Sequence, residues 1–567
     1  MDWCQEIEFM PDAFACRVRR YLTAFLLSAA VLTLSGCLVT REVPRWGLFE
    51  VSFTAATELD DPFHDVDLFV TFTSPSRRTA TVRAFWDGGR RWRVRFSPDE
   101  EGAWTYVTRA EPADVEGLHE QMGTFRVGPP SDHNRFAQHG PVRVAQGKTW
   151  LEHADGTPFF WLADTAWNGP LKATDDEWDD YLEIRLRQGF SAVQWVTTQW
   201  RAAPDGDREG VRAYAGSDRI RIDVEFFQRL DRKVEAIERA GLLNLPVLLW
   251  AIGSGSDPSV NPGHALPEDE AARLAQYMIA RWQGYPSVWI LAGDGDYRGE
   301  KATRWQRIGR AVFDGITHAP ALMHPGGMQW VLQEFADEPW VGIHGYQSGH
   351  GDDEAALRWI TSGPPARDWS KGAPRPFINL EPPYENHLAY QSRRPITADA
   401  VRRAVYWSLL NAPTAGVSYG GHGVWGWDDG TRPPVDHDRS GVPLPWREAL
   451  RMPGAEQMRH VVDTFTAIEF WRLRPRPEVL LDQPGVADPA AFVAVSGSVE
   501  GDLFVAYTPK SQSLTFHADA LPRDAAATWV DPRTGRRSRA TAIDRKTLLR
   551  FEPPGDGDWL LVILAVL

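Results

Sequence analysis

Two acidic side chains stand where fully apolar runs stop. Asp294 follows Trp289-Ile290-Leu291 after two small residues, and Glu381 directly follows Phe377-Ile378-Asn379-Leu380. Two carboxyls on opposite sides of a bond suit glycoside cleavage: one protonates the departing oxygen while the other attacks the anomeric carbon or activates water. An Asp after a strand also serves as a helix cap or turn former. A Glu closing an apolar strand in Leu380-Glu381-Pro382-Pro383 has few structural uses.

Other polar and aromatic residues close similar runs. Asp164, Trp167, Gln194, His344, Gln347, His350, Tyr384, His422 and Trp425 are the candidate substrate-binding residues. Trp250 and Trp427 read equally well as sugar platforms or core. The histidines lack the two-on-one-helix spacing of a zinc hydrolase, so hydrogen bonding to sugar hydroxyls is the better reading. The stretch Asp294 to Glu300 lacks the ligand spacing and frame of a calcium loop. There is no nucleotide-binding glycine loop. No metal and no cofactor is assigned.

These residues need a scaffold that brings distant strand ends together. Eight apolar strand candidates span residues 158–167, 190–200, 243–253, 286–296, 321–327, 340–351, 376–385 and 416–427. Stretches of helical period follow most of them, with the connection between the fifth and sixth only weakly helical. Near-continuous apolar strands alternating with amphipathic helices mean a parallel sheet buried on both faces. Eight such units predict a (β/α)8 barrel over residues 138–472, with its catalytic groups at the C-terminal strand ends.

Residues 42–130 and 475–567 carry period-two alternation with Gly and Pro punctuation and no evident helix, which predicts a small β-sandwich on each side of the barrel. The segment 131–141 reads as a linker. A total of 567 residues accommodates this multidomain plan. The net charge of -15 argues against nucleic acid or anionic lipid as the main partner. The 26 Trp suit β-rich cores or surfaces that meet flat, partly apolar rings.

At the N-terminus, Arg17, Arg19 and Arg20 precede an apolar run from Tyr21 to Leu34 that ends in Leu34-Ser35-Gly36-Cys37. This pattern reads as a signal peptide, too short for a span, and its exit resembles the bacterial lipobox. Residues 1–37 are therefore expected to be the signal, with Cys37 lipidated and the chain anchored in the bacterial cell envelope, at the outer membrane or cell surface. The acidic residues before the signal point to a later start, near Met10 or Val18. Loss of Cys4 and Cys16, with Cys37 lipidated, leaves no thiol for disulfides, zinc or nucleophilic catalysis.

The motifs Phe160-Trp-Leu-Ala-Asp164-Thr-Ala-Trp167, Trp289-Ile-Leu-Ala-Gly-Asp294, His324-Pro-Gly-Gly, Gln347-Ser-Gly-His350-Gly, Leu380-Glu381-Pro-Pro-Tyr384-Glu385 and Trp446-Arg-Glu-Ala-Leu before Pro453-Gly454-Ala, in this order, resemble the apiosidase-like glycoside hydrolase family. The resemblance implies a retaining mechanism, with the acid/base at Asp294 and the nucleophile at Glu381. It also implies an N-terminal sandwich of unknown function and a C-terminal sandwich of the collagen-binding type, although no residue here argues for collagen. The family usually follows the strand-four Asp with Arg-Asn. Here Gly295-Asp296-Tyr297 follows, which leaves Asp296 as a rival acid.

The reading is a surface-anchored glycosidase acting on a poly- or oligosaccharide, with a carboxyl separation of ~5–5.5 Å for retention against ~9 Å for inversion. Two alternatives stay open: a non-catalytic glycan-binding lipoprotein that keeps the barrel as a platform, and a metal-dependent hydrolase using the strand-six and strand-eight histidines.

Overall fold

A computed structural model describes Arg41–Val566 apart from Arg545 and Lys546. The expected signal segment and Cys37 lie outside the described residues. Among the described residues, no helix is long and apolar enough to cross a membrane.

Alternation builds the first sheet domain. Strand Asp67–Thr73 buries every second residue, so one face meets a core while the other stays partly wet. A five-stranded sheet (residues 42–44, 122–128, 102–111, 67–73 and 79–83 in spatial order) faces a three-stranded one (49–54, 91–96, 85–86). Aromatic rings fill the gap, with Phe49 stacked on Phe125 at 3.8 Å and Phe72 on Phe96 at 4.1 Å. One short helix, Pro62–Asp65, departs from the all-strand expectation.

The segment read as a linker is ordered. Asn134 accepts from the backbone N–H groups of Phe136 and Ala137, capping a helix over Arg135–His139, and Phe136 is buried against His153 and Phe159. A side-chain cap and one buried ring are enough to hold a five-residue helix that has no periodic signature. A small hairpin sheet (142–144, 151–153, 158–159) follows and leads into the barrel.

The eight barrel strands are β1 (Trp161–Thr165), β2 (Ala192–Val196), β3 (Leu243–Trp250), β4 (Trp289–Gly295), β5 (Ala321–Pro325), β6 (His344–Gln347), β7 (Phe377–Glu381) and β8 (Gly416–Tyr419). All paired neighbours run parallel, in the order β5-β4-β3-β2-β1-β8-β7-β6. At the remaining seam, Gly342 N–H donates to Ala321 O at 2.9 Å and Ala321 bridges Val341, so the cylinder is nearly closed. Every residue of these strands is buried except Asp294.

The outer layer contains α1 (Asp175–Arg187), α2 (Val224–Arg239), α3 (Glu268–Trp282), α4 (Glu300–Phe313), α5 (Glu354–Ser362), α6 (Ala398–Leu410) and α7 (Pro453–Phe465). Thr174 and Glu177 form a capping box that starts α1. Helix α7, absent from the periodicity reading, starts with Pro453 at its first position and is held by Glu385, whose carboxylate accepts from Gly454 N–H at 3.0 Å and Tyr419 OH at 2.7 Å.

The C-terminal unit pairs a six-stranded sheet with a three-stranded one. Both flanking units are tied to the barrel by buried charge. Arg281 on α3 bridges Asp231 on α2 and Asp87 of the N-terminal sheets, each at 2.9 Å. Arg402 on α6 grips Asp558 of the C-terminal sheet at 2.8 and 2.9 Å.

Candidate active site

The position of Asp294 comes from a fault in a regular strand. The β4–β5 pairing shifts register between Ile290 and Gly293 and again between Gly293 and Gly295. Such bulges re-aim a side chain. Asp294 sits there with φ +42, a left-handed conformation unusual outside glycine. Its half-buried carboxyl enters an open cleft of about 530 Å³. Gln347 Nε2 holds Oδ1 at 3.4 Å while also donating to Pro325 O at 3.2 Å.

Glu381 ends β7 and lines the same cleft. Its Oε1 lies 3.0 Å from His350 Nε2, and its Oε2 lies 3.5 Å from His324 Nε2. The tautomer of His350 follows from its other contact. Nδ1 accepts from Tyr384 N–H at 3.2 Å, so the ring proton sits on Nε2 and donates to the carboxylate.

The two carboxyls are driven apart in acidity. Burial, and next the negative charge of Glu381, push Asp294 above the usual carboxylate range, against weaker pulls from His324, Gln347 and Arg201. Burial would also raise Glu381. The hydrogen bond from His350, with the electrostatic influence of the His350 and His324 rings, outweighs it and holds Glu381 below its ordinary value. One acid shifted towards its protonated form beside one shifted towards its ionised form is the division that acid/base and nucleophile roles require.

Aromatic rings shape the rest. Trp250 packs on Trp167 at 5.5 Å and on Trp200 at 4.5 Å along one side, with Trp425 and Tyr390 also lining the cleft. Trp250 Nε1 is buried without a hydrogen-bond partner, and the buried Tyr384 hydroxyl helps to lower the pKa of Glu381. The segment Asp436–Ser440 forms part of the rim, pinned where Arg201 donates to Asp436 Oδ2 at 2.8 Å and to Asp436 O at 2.6 Å.

A family model described as "Apiosidase-like, catalytic domain" matches residues 145–472, more than half of the chain. The chain belongs to the apiosidase-like family. It is thus a glycosidase with a saccharide substrate. Residues 42–111 match a domain of unknown function, and residues 478–564 match a collagen-binding-like domain. Among solved structures, a protein from Bacteroides vulgatus assigned as a glycoside hydrolase is 19% identical with a TM-score of 0.69, the match covering 93% of this chain and all of that one. A glycoside hydrolase family 5 protein from the same organism is 19% identical with a TM-score of 0.64, covering 76% and 94% of the two chains. A further glycoside hydrolase is 20% identical with a TM-score of 0.64, covering 77% and 98%. At these identities the likeness concerns the fold. Comparison with curated proteins returned no match.

Within this apiosidase-like barrel, Trp167, Gln347, His350, Tyr384 and Trp425 line the cleft together with Asp294 and Glu381. Four other candidates do not line it. Asp164 points outward to the helix layer, its Oδ2 accepting from Tyr181 OH and Arg185 Nε at 2.7 Å each, because adjacent strand residues face opposite sides. Gln194 is locked inside the barrel, donating to Thr165 Oγ1 and Leu380 O at 2.7 Å each. His344 packs against Trp330 and Phe377 at 5.1 Å, where burial brings its pKa down to about 3. His422 stands behind the cleft, bonded to Gly441 O at 3.0 Å and accepting from Trp425 Nε1 at 3.1 Å, so it positions that ring.

The rival acid Asp296 is engaged elsewhere, paired to Arg298 at 2.8 Å and Lys301 at 2.6 Å, and these partners hold it well below the usual range. Arg201, Trp200, His387, Tyr390 and the segment 436–440 line the cleft without being among the sequence candidates: Trp200 closes the second apolar run, and the others lie in loops without periodicity. His324 ended a barrel strand and offered a positional signal. Among the described residues, no group of three or more His, Cys, Asp and Glu is gathered so as to hold a metal ion.

Proposed function

We propose that this chain is a retaining glycosidase that cleaves a complex polysaccharide, with Asp294 as acid/base and Glu381 as nucleophile. The observation that carries the reading is that both carboxyls enter one cleft with opposite shifts in acidity. Asp294 donates its proton to the glycosidic oxygen as that bond breaks, and a Glu381 oxygen bonds to the anomeric carbon. Asp294, now a carboxylate, takes a proton from water; the water oxygen displaces Glu381 and releases the sugar. His350 and His324 stabilise Glu381 as an anion before attack and as a leaving group afterwards.

A binding-only platform would be expected to have lost a carboxyl or blocked the cleft, and neither applies here. The deciding experiment incubates the chain lacking residues 1–37 with plant and bacterial polysaccharides beside Glu381→Gln. Sugar release by the parent and its loss in the variant support the reading; release unaffected by the substitution removes it. Proton NMR of the first-formed product anomer tests retention.

The same proposal places the enzyme in the bacterial cell envelope, anchored by lipid on Cys37, with the sequence Leu34-Ser35-Gly36-Cys37 as its support. Cys37→Ala in a bacterial host should abolish incorporation of labelled palmitate; unchanged labelling removes the anchor.

A further inference from the structure

Beside the catalytic cleft lies a second groove of about 890 Å³, lined by the segments that follow β1, β2 and β8. The two share a thin wall. Arg201, Trp425 and Asp436 face the cleft, while their chain neighbours Ala202, Gly426 and Val435 line the groove. The Arg201–Asp436 ion pair belongs to this divide.

Three observations single out the groove. Trp427 adopts φ +57, a strained backbone conformation of the sort that clusters at binding sites. Its Nε1 is buried without a hydrogen-bond partner. So is Oδ2 of the next residue, Asp428, whose acidity burial and then the Asp429 charge weaken to a pKa of about 7. An unpaired donor and an unpaired acceptor on successive residues of the lining suit a ligand group that is both. The ring faces are taken: Trp446 stacks on Trp427 at 4.1 Å, and Arg447 covers Trp446 at 4.3 Å. Recognition therefore runs through polar edges. Acidic and basic side chains are matched along the lining, which favours an uncharged ligand.

We propose that this groove is an accessory saccharide site, in which hydroxyls of a neutral sugar unit accept from the Trp427 indole N–H and donate to the Asp428 carboxyl. The unit belongs to the same polymer that enters the catalytic cleft across the Arg201–Asp436 divide. The inference rests on the glycosidase reading of that cleft.

Affinity electrophoresis of the full chain in gels containing soluble plant and bacterial polysaccharides tests it, with Glu381→Gln as background to prevent hydrolysis. At least one polysaccharide should retard the protein, and adding Trp427→Phe with Asp428→Ala should weaken binding fivefold or more. Asp428→Asn alone, nearly isosteric, should weaken it measurably with an unchanged melting temperature. Equal retardation of all variants overturns the site, as does no retardation by any polysaccharide. A wrong catalytic reading would instead show as absent sugar release by the parent, a readout independent of retardation.

Discussion

His350 Nε2 donates to Glu381 Oε1 across 3.0 Å, while its Nδ1 is committed to the Tyr384 backbone N–H at 3.2 Å. The chain that carries Glu381 and turns at Tyr384 thereby dictates which nitrogen bears the proton. In the proposed mechanism the histidine is a positioning residue, acting through the carboxylate.

His350→Ala should lower kcat by about 10²-fold, since a hydrogen bond to a charged group is worth about 1.5–3 kcal/mol. Loss of this contact releases Glu381 from the main influence that lowers its pKa. The acidic limb of the pH–rate profile, which reports Glu381 becoming ionised, should therefore move towards neutral pH. A packing role alone would leave that limb in place.

Asp294→Asn and Asp296→Asn separate the two acids. Removing a general acid typically costs about 10²–10⁴-fold, and the loss at Asp294 should fall mainly on substrates with poor leaving groups. Asp296→Asn should stay within a few-fold of the parent, because its carboxylate is spent on Arg298 and Lys301. Parallel rates on natural and aryl glycosides check both.

Asp164→Ala should act on stability. It strands the fully buried Arg185, whose loss of its partner costs about 3–5 kcal/mol. Thermal unfolding should begin at lower temperature while KM of the surviving folded enzyme is unchanged. A raised KM with normal unfolding would restore Asp164 to the substrate site.

Asp87 couples the N-terminal sheets to α3. Burial would raise its pKa, but Arg281, Gln228 and Arg93 outweigh that and hold it below the ordinary Asp value. A carboxylate with a lowered folded pKa contributes stability that is present above its unfolded pKa, near 3.9, and is lost as pH falls through the lower folded value. Hydrogen exchange at this interface should thus stay slow at neutral pH and rise in acid below about pH 4. Arg281→Met should raise exchange there at neutral pH.

Much of the architecture was legible because each barrel strand, covered on both faces, must be a nearly unbroken apolar run. The eight runs stood out, and Asp294 and Glu381 stood out as acids that close two of them. The Asn134-capped helix and the rim from Asp436 to Ser440 were hidden, since a short capped turn and an irregular loop carry no period.

Composition and order along the chain were sufficient for a flanked eight-stranded cylinder, because burial dictates residue type, and they singled out the two acids that close its fourth and seventh strands. The side to which each residue turns was decided only in three dimensions. Where every strand residue is buried, alternation leaves no trace in sequence, so Asp164 and Thr165 look alike although one meets Arg185 and the other Gln194. The bulge that swings Asp294 into the cleft, and the charges that set it apart from Glu381, arise from contacts between segments far apart in the chain.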